Sequence, residues 1–107
     1  DEPNEIVLQL SHKDVNLGFS KPHKDAILSL RSGMPLTYHD HCLCLPSTGR
    51  DIAQFSIKMK EKLGKWELKG YKVTAARIRF IVAWKSKDAP RDEKESAIVL
   101  ADLVMEK

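Results

Sequence analysis

The chain has 107 residues, of which 42% are apolar and 31% charged, with a net charge of +3. That is the size of one domain with a modest core of its own, and it excludes a disordered chain or a fold that depends on disulfides. No apolar run approaches the about 18 residues of a membrane-spanning helix, and no segment has the pattern of a signal peptide. The chain starts at Asp1 without Met, so residues 1–107 read as a single domain that is a fragment or trimmed core of a longer protein.

In chain order, Ile6, Leu8 and Leu10 alternate with Glu5, Val7 and Gln9, which predicts a first strand. Residues 11 to 24 are polar, contain Gly18 and Pro22, and read as a loop. Ala26 to Leu30 is a short apolar run stopped by Ser32-Gly33 and Pro35. Thr37 to Leu45 reads as a strand ended by Pro46. Ser47-Thr48-Gly49 then offers cap chemistry, and Ile52, Phe55, Met59 and Leu63 follow at helical spacing. These predict an amphipathic helix from Asp51 to Leu63 with Gly64 as its C-cap. A strand through Phe55, Ile57 and Met59 is the rival reading.

The clearest element follows. Ala76, Ile78, Phe80, Val82 and Trp84 make one continuous apolar face, and Arg77 and Arg79 begin the other. Lys85 to Glu95 reads as a charged loop with Pro90. Ala97 to Met105 reads as a final apolar strand, paired with the previous one as a long-looped hairpin and inviting edge pairing. The pattern predicts an α+β fold, an antiparallel β-sheet core with one amphipathic helix.

Charge is unevenly placed. From Lys58 to Lys87 there are ten Lys or Arg against two acids, Glu61 and Glu67, a net +8, whereas the preceding part is −2 and the following part −3. A basic zone this compact suits phosphate, on nucleic acid or on an anionic membrane. Its cations are Lys58, Lys60, Lys62, Lys65, Lys69, Lys72, Arg77 and Arg79, with Trp66 and Tyr71 among them. Interleaved aromatics suit single-stranded nucleic acid, where bases stack, and equally a membrane surface, where Trp and Tyr sit at headgroup level. Lys near a helix C-terminus also complements the helix dipole, and a solvated face with Trp66 in the core is the structural alternative.

His39-Asp40-His41-Cys42-Leu43-Cys44 is the cluster of metal-type side chains. On a strand, His39 and His41 point one way and Asp40, Cys42 and Cys44 the other, so they do not converge on one ion. The other histidines, His12 and His23, fall in a predicted loop. The cysteines read as reduced thiols on the core face, in a cytosolic or nuclear compartment. A Cys–His hydrolase would need His41 beside Cys42, but neighbours on a strand face apart. No glycine-rich phosphate loop, nucleophile elbow or paired-carboxylate signature is present. No catalytic residue, metal, cofactor or small-molecule substrate is expected.

Tyr38-His39-Asp40-His41-Cys42, then Leu45-Pro46, then Tyr71-Lys72 opening a strand, resembles the middle of rhabdovirus matrix proteins. Ala97 to Lys107 is similar to a matrix-type apolar strand ending in Glu-Lys. The resemblance covers about a third of the chain. It implies a viral structural protein that self-associates, binds the inner leaflet of an anionic membrane and condenses ribonucleoprotein. It further implies a place in the host cytoplasm or, in the virion, peripheral to the membrane. Gly70 to Trp84, after the predicted helix, resembles the core of plant-virus movement proteins, which implies binding of single-stranded nucleic acid. The leading expectation is a non-enzymatic assembly protein of matrix type. The alternative is a nucleic-acid-binding module.

Overall fold

A computed structural model of the chain describes residues 3–84 and 96–107. Strand β1 (Glu5–Gln9) is followed by two short helices, α1 (Leu17–Ser20) and α2 (Lys24–Leu28), joined by a 3-10 turn at Lys21–His23. Three short strands come next, β2 (Pro35–His39), β3 (Cys42–Cys44) and β4 (Asp51–Gln54). Helix α3 (Ile57–Leu68) leads into two long strands, β5 (Lys72–Trp84) and β6 (Ser96–Glu106). The strands form one curled antiparallel sheet in the order β1-β6-β5-β2-β3-β4. The chain is thus α+β with a sheet core, as its pattern predicts, with α1 and α2 in addition to the expected helix. The predicted charged loop from Lys85 to Glu95 lies outside the described residues, and so does the side chain of Trp84.

One predicted strand is in fact a hairpin. β2 and β3 pair antiparallel through His39 and Cys42, so the turn between them has only two residues, Asp40 and His41. Both adopt positive φ, 46° and 63°. That is the handedness a two-residue hairpin needs, and non-glycine residues pay about 1–2 kcal/mol each for it. The turn is held from outside, because the His41 carbonyl accepts the Phe55 N–H at 2.9 Å.

The predicted helix start is displaced by six residues. Asp51–Gln54 adds to β3 as an edge strand, and the Ser47-Thr48-Gly49 segment is the turn of that hairpin. Leu45 N–H bonds the Arg50 carbonyl across it, and Gly49 takes a φ of 71°. The cap is Ser56, whose hydroxyl accepts the Met59 N–H at 3.2 Å. Gly64 lies inside α3 rather than after it. The glycine that ends the helix is Gly70, at φ 98°. Its N–H bonds the Glu67 carbonyl and the Tyr71 N–H bonds the Trp66 carbonyl, the paired bonds of a Schellman motif.

β5 carries two bulges that reset its faces. Its register against β6 shifts between Val73 and Ala75 and again between Ile78 and Phe80. A bulge adds one residue and so exchanges the sides of all that follow. Ala76 and Ile78 therefore face the core, at 5% and 1% exposure, while Phe80 and Val82 stand outside it at 56% and 37%. Ile81 takes their place against the core. This corrects the continuous apolar face expected from Ala76 to Trp84.

The core lies between one face of the sheet and the helices. Leu103, Met105, Ala101 and Val99 of β6 meet Met59 and Leu63 of α3 and Ile27 of α2 in a single cluster. Met59 and Leu63 were expected on the core side of a helix, and they are fully buried there.

Candidate anion-binding surface

The cations of the basic zone divide by position. Lys58, Lys60, Lys62 and Lys65 stand on α3, Lys69 caps it, Lys72 opens β5, and Arg77 and Arg79 lie further along that strand. Lys58 and Lys60 occupy the first turn of α3, where the helix dipole opposes cations, and only Lys65 lies in its last turn. The dipole therefore accounts for Lys65 and the C-cap Lys69, and not for Lys58 and Lys60.

Several of these residues are committed within the fold. Lys62 pairs with the buried carboxylate of Asp14 at 3.5 Å. Asp14 also accepts the Ser11 N–H at 2.7 Å, which fixes the turn after β1. Arg79 is bound on two sides, donating to the Leu10 carbonyl at 2.7 Å and lying 3.5 Å from Asp102. Its guanidinium stands 5.2 Å from the centroid of Phe80. Tyr71 is wholly buried, its hydroxyl donates to the Pro3 carbonyl, and its ring meets Trp66 edge-on at 5.3 Å. Lys69 lies over the Trp66 ring at 5.0 Å. Lys58, Lys65, Lys72 and Arg77 are exposed.

The outward side of α3 holds what the sequence reading did not single out. Ile57 and Leu68 are 76% and 90% exposed, at opposite ends of the helix. Eleven residues on a 3.6-residue turn bring both to one face, about 16 Å apart along the axis. Glu61 and Gly64 lie between them on that face, with Lys58 and Lys65 along one side of it and Lys60 and exposed Glu67 along the other. Near Leu68 the side chains of Lys62, Lys65, Trp66 and Lys69 border a shallow groove of about 480 Å³. Two large apolar side chains are thus set in water beside a row of ammonium groups. The signal was legible as the spacing of Ile57 and Leu68 only once the helix runs Ile57–Leu68 rather than Asp51 to Leu63.

The His-Cys cluster forms no such surface. His39 ends β2 while His41 stands in the hairpin turn itself, and among the described residues no group of three or more metal-type ligands converges. Cys42 and Cys44 form no disulfide. The Cys44 thiol donates to the Asp51 carboxylate at 2.9 Å. Burial, and then that carboxylate, push the thiol up to about 11. Burial and the charge of Asp51 also raise Cys42. Activation as a nucleophile requires a shift in the other direction.

The raised thiol makes a prediction. The unfolded chain releases this proton near the ordinary value of 9.0 while the folded chain holds it to about 11. Stability from this group is complete below pH 9.0, falls as pH rises and has gone above about 11. Thermal melts across this window should show a steeper loss for the native protein than for Cys44→Ala. Equal slopes would assign the loss to other groups.

Comparison of the chain with protein-family models, curated proteins and solved structures finds no match.

Proposed function

We propose that this chain is a non-enzymatic viral assembly protein of matrix type, and that the outward side of α3 rests on an anionic membrane. The observation that carries the reading is the pair Ile57 and Leu68, 76% and 90% exposed beside Lys58 and Lys65. Lysines attract anionic headgroups, and apolar side chains beside them enter the headgroup layer. Trp66, half-buried, packs against the core on the opposite side of α3 and takes no part in this contact. Glu61 and exposed Glu67 oppose the contact, while Lys58 and Lys65 lie one turn to either side of Glu61 and offset it. The resemblance to matrix proteins adds self-association and ribonucleoprotein as a further acidic partner.

Nucleic acid draws on the same charge but on different aromatics. Stacking needs an open ring face, and Tyr71 is wholly buried while Lys69 covers one face of Trp66. The raised thiols of Cys42 and Cys44 support the non-enzymatic part of the reading.

The test compares sedimentation with phosphatidylserine-containing vesicles and anisotropy of labelled single-stranded RNA, for native protein and Ile57→Ser/Leu68→Ser. Vesicle binding that drops at least tenfold in the variant is expected, with the weaker RNA binding unchanged. RNA binding that exceeds vesicle binding and falls steeply with salt would establish the nucleic-acid module instead.

A further inference from the structure

β2 leaves β5 early. Only Pro35 and Leu36 pair with it, opposite Arg77 and Ala76. The turn before β2 then closes on Ile78, whose carbonyl accepts the Gly33 N–H at 2.7 Å and whose N–H donates to the Met34 carbonyl at 2.9 Å. Beyond this point β5 continues to Trp84 with β6 on one side. On its other side, no backbone hydrogen bond reaches Phe80–Ala83 among the described residues.

An unpaired edge presents N–H and C=O groups to any extended chain, and proteins usually blunt it with charge, proline or a covering element. Here the four edge residues are Phe80, Ile81, Val82 and Ala83, none of them charged. Phe80 and Val82 are 56% and 37% exposed. The charges lie at one end. Arg77 is exposed two residues before the bulge, and exposed Arg31 stands in the turn that bonds Ile78. A second copy pairing through this edge would bring the same arginines with it, so the charge favours an acidic occupant.

We propose that the Phe80–Ala83 edge of β5 is a strand-addition site for an extended peptide with an apolar middle and an acidic C-terminal end. The guest lies in line with β2 and antiparallel to β5. Its C-terminal end then meets the Gly33 turn, beside Arg31 and Arg77. Its main chain supplies the hydrogen bonds, over about 13 Å for four residues. Its alternate side chains pack beside Phe80 and Val82, and its terminal carboxylates select the register. The site uses the sheet and does not depend on the membrane reading of α3.

The probe is a fluorescein-labelled synthetic peptide of alternating Val and Thr ending in two Asp, titrated into the whole chain. Hydrogen exchange at the Phe80–Ala83 amides is followed by NMR. The expected result is saturable binding and slowed exchange at those of these amides that face away from β6. Arg77→Glu and Val82→Lys should each weaken binding at least tenfold. The same peptide ending in two Lys should not bind. Circular dichroism checks that each variant folds, and Phe80→Lys replaces Val82→Lys if the latter does not. The proposal is overturned by absent binding to the native chain, by binding that leaves those amides unchanged, or by equal binding of the Lys peptide. Protection that grows with protein concentration alone would overturn it in favour of a second copy.

Discussion

Tyr71→Ala should lose about 3–5 kcal/mol of folding stability, the range for truncating a fully buried aromatic. Small domains are stable by only about 5–15 kcal/mol, so most of this chain's margin would go. Three side-chain features explain the size. The ring is wholly buried at the junction of α3 and β5. It packs edge-on against Trp66. Its hydroxyl ties down the chain before β1 at Pro3. Tyr71→Phe removes only the last of these and should cost about 1 kcal/mol, the net worth of one hydrogen bond. Urea denaturation of the two variants separates packing from hydrogen bonding. Vesicle binding by Tyr71→Phe should match the native protein, since this ring contributes to architecture. A Tyr71→Ala protein as stable as native would contradict the packing described.

Lys58→Glu/Lys65→Glu should remove vesicle binding almost entirely. A lysine near an anionic leaflet contributes about 1 kcal/mol, and reversal turns that attraction into a similar repulsion. Two reversals therefore shift partitioning by about 4 kcal/mol, or about a thousandfold at 1.4 kcal/mol per decade. Both side chains are exposed, and neither has an ion pair among the described residues, so the fold should tolerate the change. Lys62→Glu makes the contrast. It would place a carboxylate against the buried carboxylate of Asp14, so it should lower stability as well as binding. Sedimentation at low and physiological salt, beside a melt of each protein, reads both effects. Undiminished binding by the double variant would move the contact away from α3.

The two kinds of basic residue could not be told apart by charge. Arg77 and Arg79 are two apart on one strand, which implies one shared face. The bulge after Ile78 leaves Arg77 exposed and turns Arg79 to the Leu10 carbonyl and Asp102. A bulge arises from how two strands meet, and nothing local to Ile78-Arg79-Phe80 announces it. The same holds for α3. Ile52 and Phe55 continue the spacing of Met59 and Leu63, so the helical period extends through residues that β3 captures as an edge strand. Pairing with a neighbour outweighed the local period there. Ser56 was a readable cap, but Ser47 and Thr48 were equally readable and lay nearer the start of the period.

What the chain determined by itself is the part governed by period and composition. Alternation placed β1 and β5, the apolar content of Ala97 to Met105 announced β6, and Met59 and Leu63 marked the buried side of α3. The charge of the Lys58–Lys87 stretch was equally plain. Only the tertiary structure decided which residues are outside. It folded residues 37–45 into a tight hairpin, moved the start of α3, and exposed Ile57, Leu68, Phe80 and Val82. The reason is physical. Period is set by each residue and its near neighbours, whereas exposure depends on strand register and on which element arrives to cover a face. Those contacts join positions far apart in the chain, and no short window of sequence contains both partners.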